Sequence, residues 1–546
     1  MDERLVDNWL TSVNELAYQL PFCEVLLADG YEVLYVSTHG RGEHGKDVVA
    51  RREDGVLCSF QLKGGDIALG AWRDIRGEVE ELVQLPVRVP GVDEGEAHVP
   101  HLVTNGELRG DAIENVRRFT DEWVRKGYPR LEVWQHDALL KKFVDAQGRY
   151  LPRRLVDFRA FVELYVGSFA DPLPRGEFAR LLESLAAPDS IGNTELRRAR
   201  ALAALAVVAA YVLEQYERQG NHVAAAEGWT VVAATILHVA ERDALPPRRY
   251  EAVLGLVWRA FWKSLAGLER EALASDGLMG PTSTLADGVV YGARAMITLG
   301  WVATAQLLRA RCAEAVRAAG APSAPDAERA VALVAREWPG ARITGEVDWS
   351  YVVALGLFLE RARHAGECEA LCELWVRTVL DMNRGRKAPG IAPPYWLHER
   401  VLRRTYGMLA PNESEERFAG HTYTALPALD MLVRRLRRQL VASLWPAVTH
   451  LDACDFTPPT PADWFLWRAP RGELRTGNPG PRVSWAAWRA ESGVVDVAAL
   501  PPTLVRHPEW VLPFALTYPH RANRLLCAYA DAVIGQRARL NEGGGA

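Results

Sequence analysis

The sequence predicts an α/β domain with a mixed central sheet at the N-terminus, followed by a large, mostly α-helical region. Two observations carry this reading. Up to about residue 143, short β-prone runs alternate with amphipathic stretches. From about 175 to 407 the chain is rich in Ala, Leu, Arg and Glu at helical spacing. Taken in order, a helix is expected over 15–27 and a strand over 30–36, then a hairpin over 47–63. A helix over 72–85, a strand over 101–106, a helix over 111–126 and a strand over 130–134 complete the domain.

The hairpin carries most of the chemistry. Asp54-Gly55 between two β-prone runs is a strong local turn signal. A two-residue loop would place Asp47 opposite Leu62 and aim it into an apolar face. A three-residue loop, with Gly55 left-handed, places Arg52 opposite Val56 and Asp47 opposite Gln61. Residues opposed across a pair share a sheet face, as do residues two apart on one strand. The second register therefore gathers Asp47, Gln61 and Lys63 on one face, and it is the one expected.

Those residue types suit phosphodiester hydrolysis, which needs an activated water, neutralised charge at phosphorus and a stabilised leaving alkoxide. Mg²⁺, or Mn²⁺ in its place, meets these needs through one or two oxygen ligands. Asp47 offers an anionic ligand, Gln61 an amide oxygen and Leu62 a backbone carbonyl. Lys63 would orient water or neutralise developing charge.

Residues 14–143 resemble the PD-(D/E)xK nuclease superfamily, specifically its Mrr-like restriction-endonuclease branch. The resemblance rests on Asp47…Gln61-x-Lys63, with Gln where many relatives carry an acid, and on the order of helices and strands around it. It implies a restriction-endonuclease-like fold and an Mg²⁺-dependent endonuclease acting on DNA, in a setting of prokaryotic defence. It also implies an acid on the first helix completing the metal site, for which Glu15 is the first candidate and Glu24 the second. Ser12-x-x-Glu15 reads equally as a capping box, in which Glu15 serves the backbone instead. His44 and Lys46 before the first hairpin strand, Gly64 after the second, and Arg434 and Arg438 far downstream are candidate nucleic-acid contacts. Glu43 and His39 lie on the same Gly-rich loop as His44.

Composition bounds the rest. At 546 residues with 49% hydrophobic content, the chain can bury several domain-sized cores. A net charge of −5 excludes a uniformly basic surface, so DNA would need a local basic channel. Seven cysteines without framework spacing point to free thiols in a reducing compartment. The first residues lack a secretory pattern, and the apolar run 201–213 is too short to span a bilayer. The expectation is a soluble cytoplasmic protein with no membrane partner.

Five segments are expected: a nuclease-like domain over 1–150, a linker over 151–174, a helical region over 175–410, a helical C-terminal region over 411–540 with Pro/Gly/Trp-rich loops, and a disordered tail over 541–546. Helices are expected at 177–186, 195–218, 222–241, 248–272, 285–299, 302–319, 327–337, 351–364, 368–382, 397–408, 426–444 and 521–536. Helix pairs recurring every 35–45 residues or so suggest a helical array. His364, Cys368 and Cys372 span about 12 Å along one helix, too far for one tetrahedral metal, and read as packing groups. Trp464, Trp467, Trp485 and Trp488 read as loop anchors. The helical region would regulate the nuclease, recognise a target, or assemble it with defence-system proteins or with copies of itself. The competing readings are a non-catalytic nuclease-fold scaffold and a repair or junction nuclease.

Overall fold

The computed structural model describes residues 3–37, 45–151, 154–275, 288–320, 327–383, 390–409, 420–477, 494–535 and 539–541. Its N-terminal part builds a five-stranded mixed sheet in the order β1-β2-β3-β4-β5. Helices α1 (Glu3–Ser12) and α2 (Glu15–Ala28) come first. The strands are β1 (Glu32–Val36), β2 (Val48–Arg51), β3 (Leu57–Lys63), β4 (His98–Thr104) and β5 (Glu132–Trp134). Between them lie α3 (Leu69–Gln84) and α4 (Asp111–Arg125), and α5 (His136–Tyr150) follows. β1, β2 and β3 run antiparallel, whereas β3, β4 and β5 run parallel through helical crossovers.

The hairpin has the three-residue-loop register. Val48 faces Phe60 and Arg51 faces Leu57. Arg52 and Val56 close the loop, where Gly55 adopts φ +87°. Beneath the sheet Phe60 packs against Phe22, His101 and Trp134. On the other side, Trp72, Val79 and Leu82 of α3 meet Val116 and Phe119 of α4 in a second apolar cluster.

The chain divides into two compact units. The first comprises Met1–Phe169, Arg180–Gln219 and Leu245–Ala260, and the second comprises Ala170–Ala179, Gly220–Ala244 and Phe261–Ala546. The first unit thus extends past the expected boundary at 150. The expected linker over 151–174 contains helix α6 (Leu155–Tyr165). After α7 (Arg175–Leu185) and α8 (Pro188–Ile191), the long helix α9 (Glu195–Arg218) packs on α2 and α5. Its Tyr211 sits edge-on to Trp9 and accepts a hydrogen bond from Gln147.

The second unit is predominantly helical. Its elements include α10 (His222–Arg242), most of α11 (Glu251–Ala274), α12 (Gly288–Arg311), α13 (Ala313–Ala318), α14 (Ala327–Glu337), α15 (Trp349–Arg361), α16 (Ala365–Met382) and α17 (His398–Thr405). Two expected boundaries are corrected here. The helices expected over 285–299 and 302–319 are mostly one helix, α12, because Gly300 is the seat for the Tyr351 ring rather than a breaker. The helix expected over 426–444 is two, α18 (Ala425–Arg434) and α19 (Arg438–Val448), split where Leu436 takes φ +64°. Asn541 belongs to a short strand pairing with Val494–Asp496, and residues 542–546 lie outside the described residues, as do Trp485 and Trp488.

One described helix, His222–Arg242, is long and apolar enough to cross a membrane, and 94% of its most apolar window is buried within the protein. A core helix of a large protein passes the same length and composition test.

Candidate functional site

Asp47 lies one residue before β2, and its backbone is fixed from both sides. Its N–H donates to Phe60 O (2.8 Å), and its carbonyl accepts from Ser37 N (2.7 Å). With the main chain held, the nearly buried carboxylate turns along β3. Asp47 Oδ2 accepts from Leu62 N (2.7 Å) and from Gln61 Nε2 (2.9 Å). With Nε2 committed to Asp47, Gln61 Oε1 is left as a buried acceptor without a hydrogen-bond partner among the described residues. Such an orphaned carbonyl costs about 1–3 kcal/mol unless a ligand or water meets it.

Lys63 ends β3 and reaches Glu78 on α3, Nζ to Oε2 at 2.6 Å. The same Glu78 oxygen lies 3.5 Å from Gln61 Nε2. Asp47, Gln61, Lys63 and Glu78 therefore form one contiguous cluster between the hairpin and α3. Glu78 is about half exposed and marks its open side. The loop before β2 approaches α3 so closely that a Cβ on Gly45 would stand 2.3 Å from Glu78 O. Glycine at 45, with φ +67°, thus lets α3 lie against the hairpin.

Glu78 is the residue that sequence reasoning missed. It sits in Glu78-x-Glu80-Glu81 on an amphipathic helix, where nothing marks one acid over its neighbours. The available signal was positional, an acid on the exposed face of the first helix after the hairpin.

Glu15 is the first residue of α2, but Ser12 does not cap that helix. Asn14 does, its side chain accepting from Ala17 N, while Ser12 Oγ donates back to Trp9 O. The capping-box alternative is therefore corrected. Glu15 Oε2 accepts from Gly64 N (3.1 Å), so the first helix meets the residue directly after Lys63. Gly64 thereby spends its N–H on a carboxylate. One helical turn on, Tyr18 Oη donates to Lys63 O (2.8 Å). Burial, with the negative charges of Glu15 and Asp47, pushes the Tyr18 hydroxyl well above its ordinary range and keeps it a donor.

Several expected site residues stand elsewhere. Glu24 is fully buried on the face of α2 directed at Tyr211 of α9, and neither carboxyl oxygen has a hydrogen-bond partner among the described residues. Burial raises its pKa well above the carboxylate range, which makes it a neutral core acid rather than a metal ligand. Lys46 is buried and directed at Glu81 O on α3 (3.4 Å), with its ammonium pushed down to about 8 by burial. It does not face outward to a phosphate.

Arg434 is likewise corrected. Its side chain is buried on Asp531 (2.6 Å), beside Arg435, which bridges Asp531 and Glu360. Arg438 alone of this basic run's two named contacts is exposed, at the start of α19. Leu62 lies in the β3–β4 ladder opposite Val103 with its N–H bound to Asp47. His39, Glu43 and His44 lie outside the described residues. Cys368 and Cys372 are buried in α16, and His364 pairs with Glu367 at its start.

Among the described residues no group of three or more His, Cys, Asp or Glu side chains is gathered as a metal cluster. The cluster around Asp47 instead offers two carboxylates and one amide oxygen. Comparison of the chain with protein-family models, with curated proteins and with solved structures gives no match.

Proposed function

We propose that the Asp47–Gln61–Lys63–Glu78 cluster is the site of a divalent-metal-dependent endonuclease that hydrolyses DNA phosphodiester bonds. The observation that carries the proposal is the convergence of two acids, an amide and an ammonium where α3 meets the end of the hairpin opposite its turn. The helix–strand order and the mixed sheet agree with a restriction-endonuclease-like fold. DNA as substrate and prokaryotic defence as setting rest on the PD-(D/E)xK resemblance alone.

The donor set fits a hard cation. Asp47 and Glu78 bring negative charge, and Gln61 Oε1 is a buried acceptor with no hydrogen-bond partner among the described residues. Mg²⁺ commonly takes one or two carboxylates and completes its shell with water and substrate phosphate, so a three-acid cluster is not required. Asp47, Gln61 and Glu78 would hold the ion, which when bound supplies Lewis acidity toward the phosphate and acidifies water. Lys63 has a separate task. Its ammonium is parked on Glu78, and an incoming phosphate would compete for it, so that Lys63 neutralises charge on the non-bridging oxygens. Glu15 and Tyr18 hold the main chain at Gly64 and Lys63, which fixes the direction of the lysine.

One observation favours a second reading, that of a non-catalytic scaffold. Asp47 Oδ2 already accepts two hydrogen bonds and Lys63 already has a carboxylate partner, so the cluster is nearly self-satisfied. Supercoiled plasmid incubated with the full chain, with Mg²⁺ or with chelator, separates the two. Nicking that requires the metal and is lost in both Asp47→Ala and Lys63→Ala supports the nuclease. Undiminished nicking in either variant, or none by the wild type with Mg²⁺ or Mn²⁺, rejects it in favour of the scaffold.

A further inference from the structure

The second unit contains a cavity of about 660 Å³ lined entirely by that unit. Its size falls in the range of small-molecule sites. The walls divide by chemistry. Leu173, Val223, Leu268, Ile297 and Leu402 supply an apolar surround, whereas Arg175, Glu227 and His398 bring the buried polar groups.

Those polar groups are built, not incidental. Arg175 Nη1 donates to Glu227 Oε1 (3.0 Å) and to the carbonyls of Leu516 and Thr517. Glu227 also lies 3.5 Å from Tyr351 Oη. His398 is held by Asp348 (2.7 Å), whose second oxygen is fixed by Thr344 and Gly345. A buried ion pair contributes little to stability over an apolar replacement, so its presence on a cavity wall calls for another use.

Charge decides what fits. Arg175 offsets Glu227, Asp348 stands behind His398, His222 pairs with Glu271, and Arg294 and Glu399 add one charge of each sign. The wall is therefore close to neutral and does not favour a strongly charged ligand. What it presents instead is a guanidinium donor directly beside a carboxylate acceptor. The complement of that pair is an N–H next to a C=O.

We propose that this cavity binds an uncharged, compact molecule with an amide edge, held by Arg175 and Glu227 and surrounded by the apolar wall. The proposal is independent of the nuclease reading. Two sources share this chemistry, the lactam edge of a nucleobase and a primary carboxamide on an aromatic ring. Calorimetric titration of the full chain with uridine, guanosine and nicotinamide distinguishes them, with 3-methyluridine as the control that lacks the N–H. At least one amide probe should bind. Among nucleosides the methylated control should be at least tenfold weaker than uridine. Glu227→Gln should weaken the binder at least tenfold, and Ile297→Trp, which places a bulkier ring in the apolar wall, should weaken it as well. Thermal melting of both variants checks that they fold. Failure of all three amide probes overturns the proposal, as does binding that is unchanged in a folded Glu227→Gln protein.

Discussion

The hairpin cluster of the first unit and the buried arginine network of the second use the same charged residue types to opposite ends. Around Asp47, the charges stand at one end of two interior strands, where β2 begins and β3 ends. Glu78 is half exposed, Lys63 can exchange partners, and Gln61 keeps one acceptor without a partner among the described residues. Around Asp531, two arginines and two acids are enclosed, and Arg435 is held by both Asp531 and Glu360. Burial pulls the Arg435 guanidinium down, but the surrounding negative charges outweigh it and the net direction is up, so the group stays charged. The comparison teaches that charge density in a sequence does not identify a site. What identifies one is charge whose partners are incomplete or exchangeable and which solvent can reach.

Substitutions sharpen this contrast, beginning with the largest effect. Arg435→Met leaves Asp531 and Glu360 enclosed with one cation fewer, and should destabilise the chain by about 3–5 kcal/mol. Chemical denaturation reads that loss. Equal stability of wild type and variant would show the network to be dispensable.

Next comes Asp47→Asn, expected to lower metal-dependent cleavage by about 10²–10³-fold, the range for removing one electrostatic contributor. The neutral amide still fills the space, so the melting temperature should move far less than with Arg435→Met. If melting falls as far as it does for Arg435→Met, Asp47 belongs with the structural charges instead.

Glu24→Met should stabilise the protein by roughly 1–3 kcal/mol at neutral pH, because it removes a buried carboxyl lacking hydrogen bonds. The sign with pH follows from linkage. Its folded pKa is raised, so the unfolded carboxyl loses its proton first as pH rises above the ordinary carboxylate range. Wild-type stability contributed by this group is full below that range and is lost toward alkaline pH. The gain from Glu24→Met should therefore grow between pH 5 and 8, as denaturation midpoints across that window would show. A constant gain would mean that Glu24 ionises normally.

A pH effect of the opposite sign is expected from His101, stacked on Phe60 and pushed down to about 4 mainly by burial. Here the unfolded imidazole takes up a proton first, so stability should fall as pH drops from about 6.5 towards 4. His101→Phe should flatten that limb of the stability profile, and an unchanged slope would exclude the histidine as its source.

How much of this was legible in the sequence depends on how local its cause is. The hairpin register was legible because Asp54-Gly55 and the side-chain parity of Asp47, Gln61 and Lys63 are local facts. The long helix over 195–218 was legible from its period, and the structure adds Thr194 as its cap. Glu78 was not, because its role depends on how α3 lies against the loop at Gly45. The run 434–438 misled because the break at Leu436 and the partner Asp531, far along the chain, are set by packing. The break expected between 299 and 302 has the same explanation, since Gly300 there is a seat for Tyr351 inside one continuous helix.

Direct binding of Mn²⁺ to the full chain, followed by electron paramagnetic resonance, tests the central claim that Asp47, Gln61 and Glu78 form one cation site. Saturable binding by the wild type, lost at least tenfold in Asp47→Asn and retained in Lys63→Met, is the result predicted. Binding unaffected by Asp47→Asn, or no binding by the wild type, would contradict it.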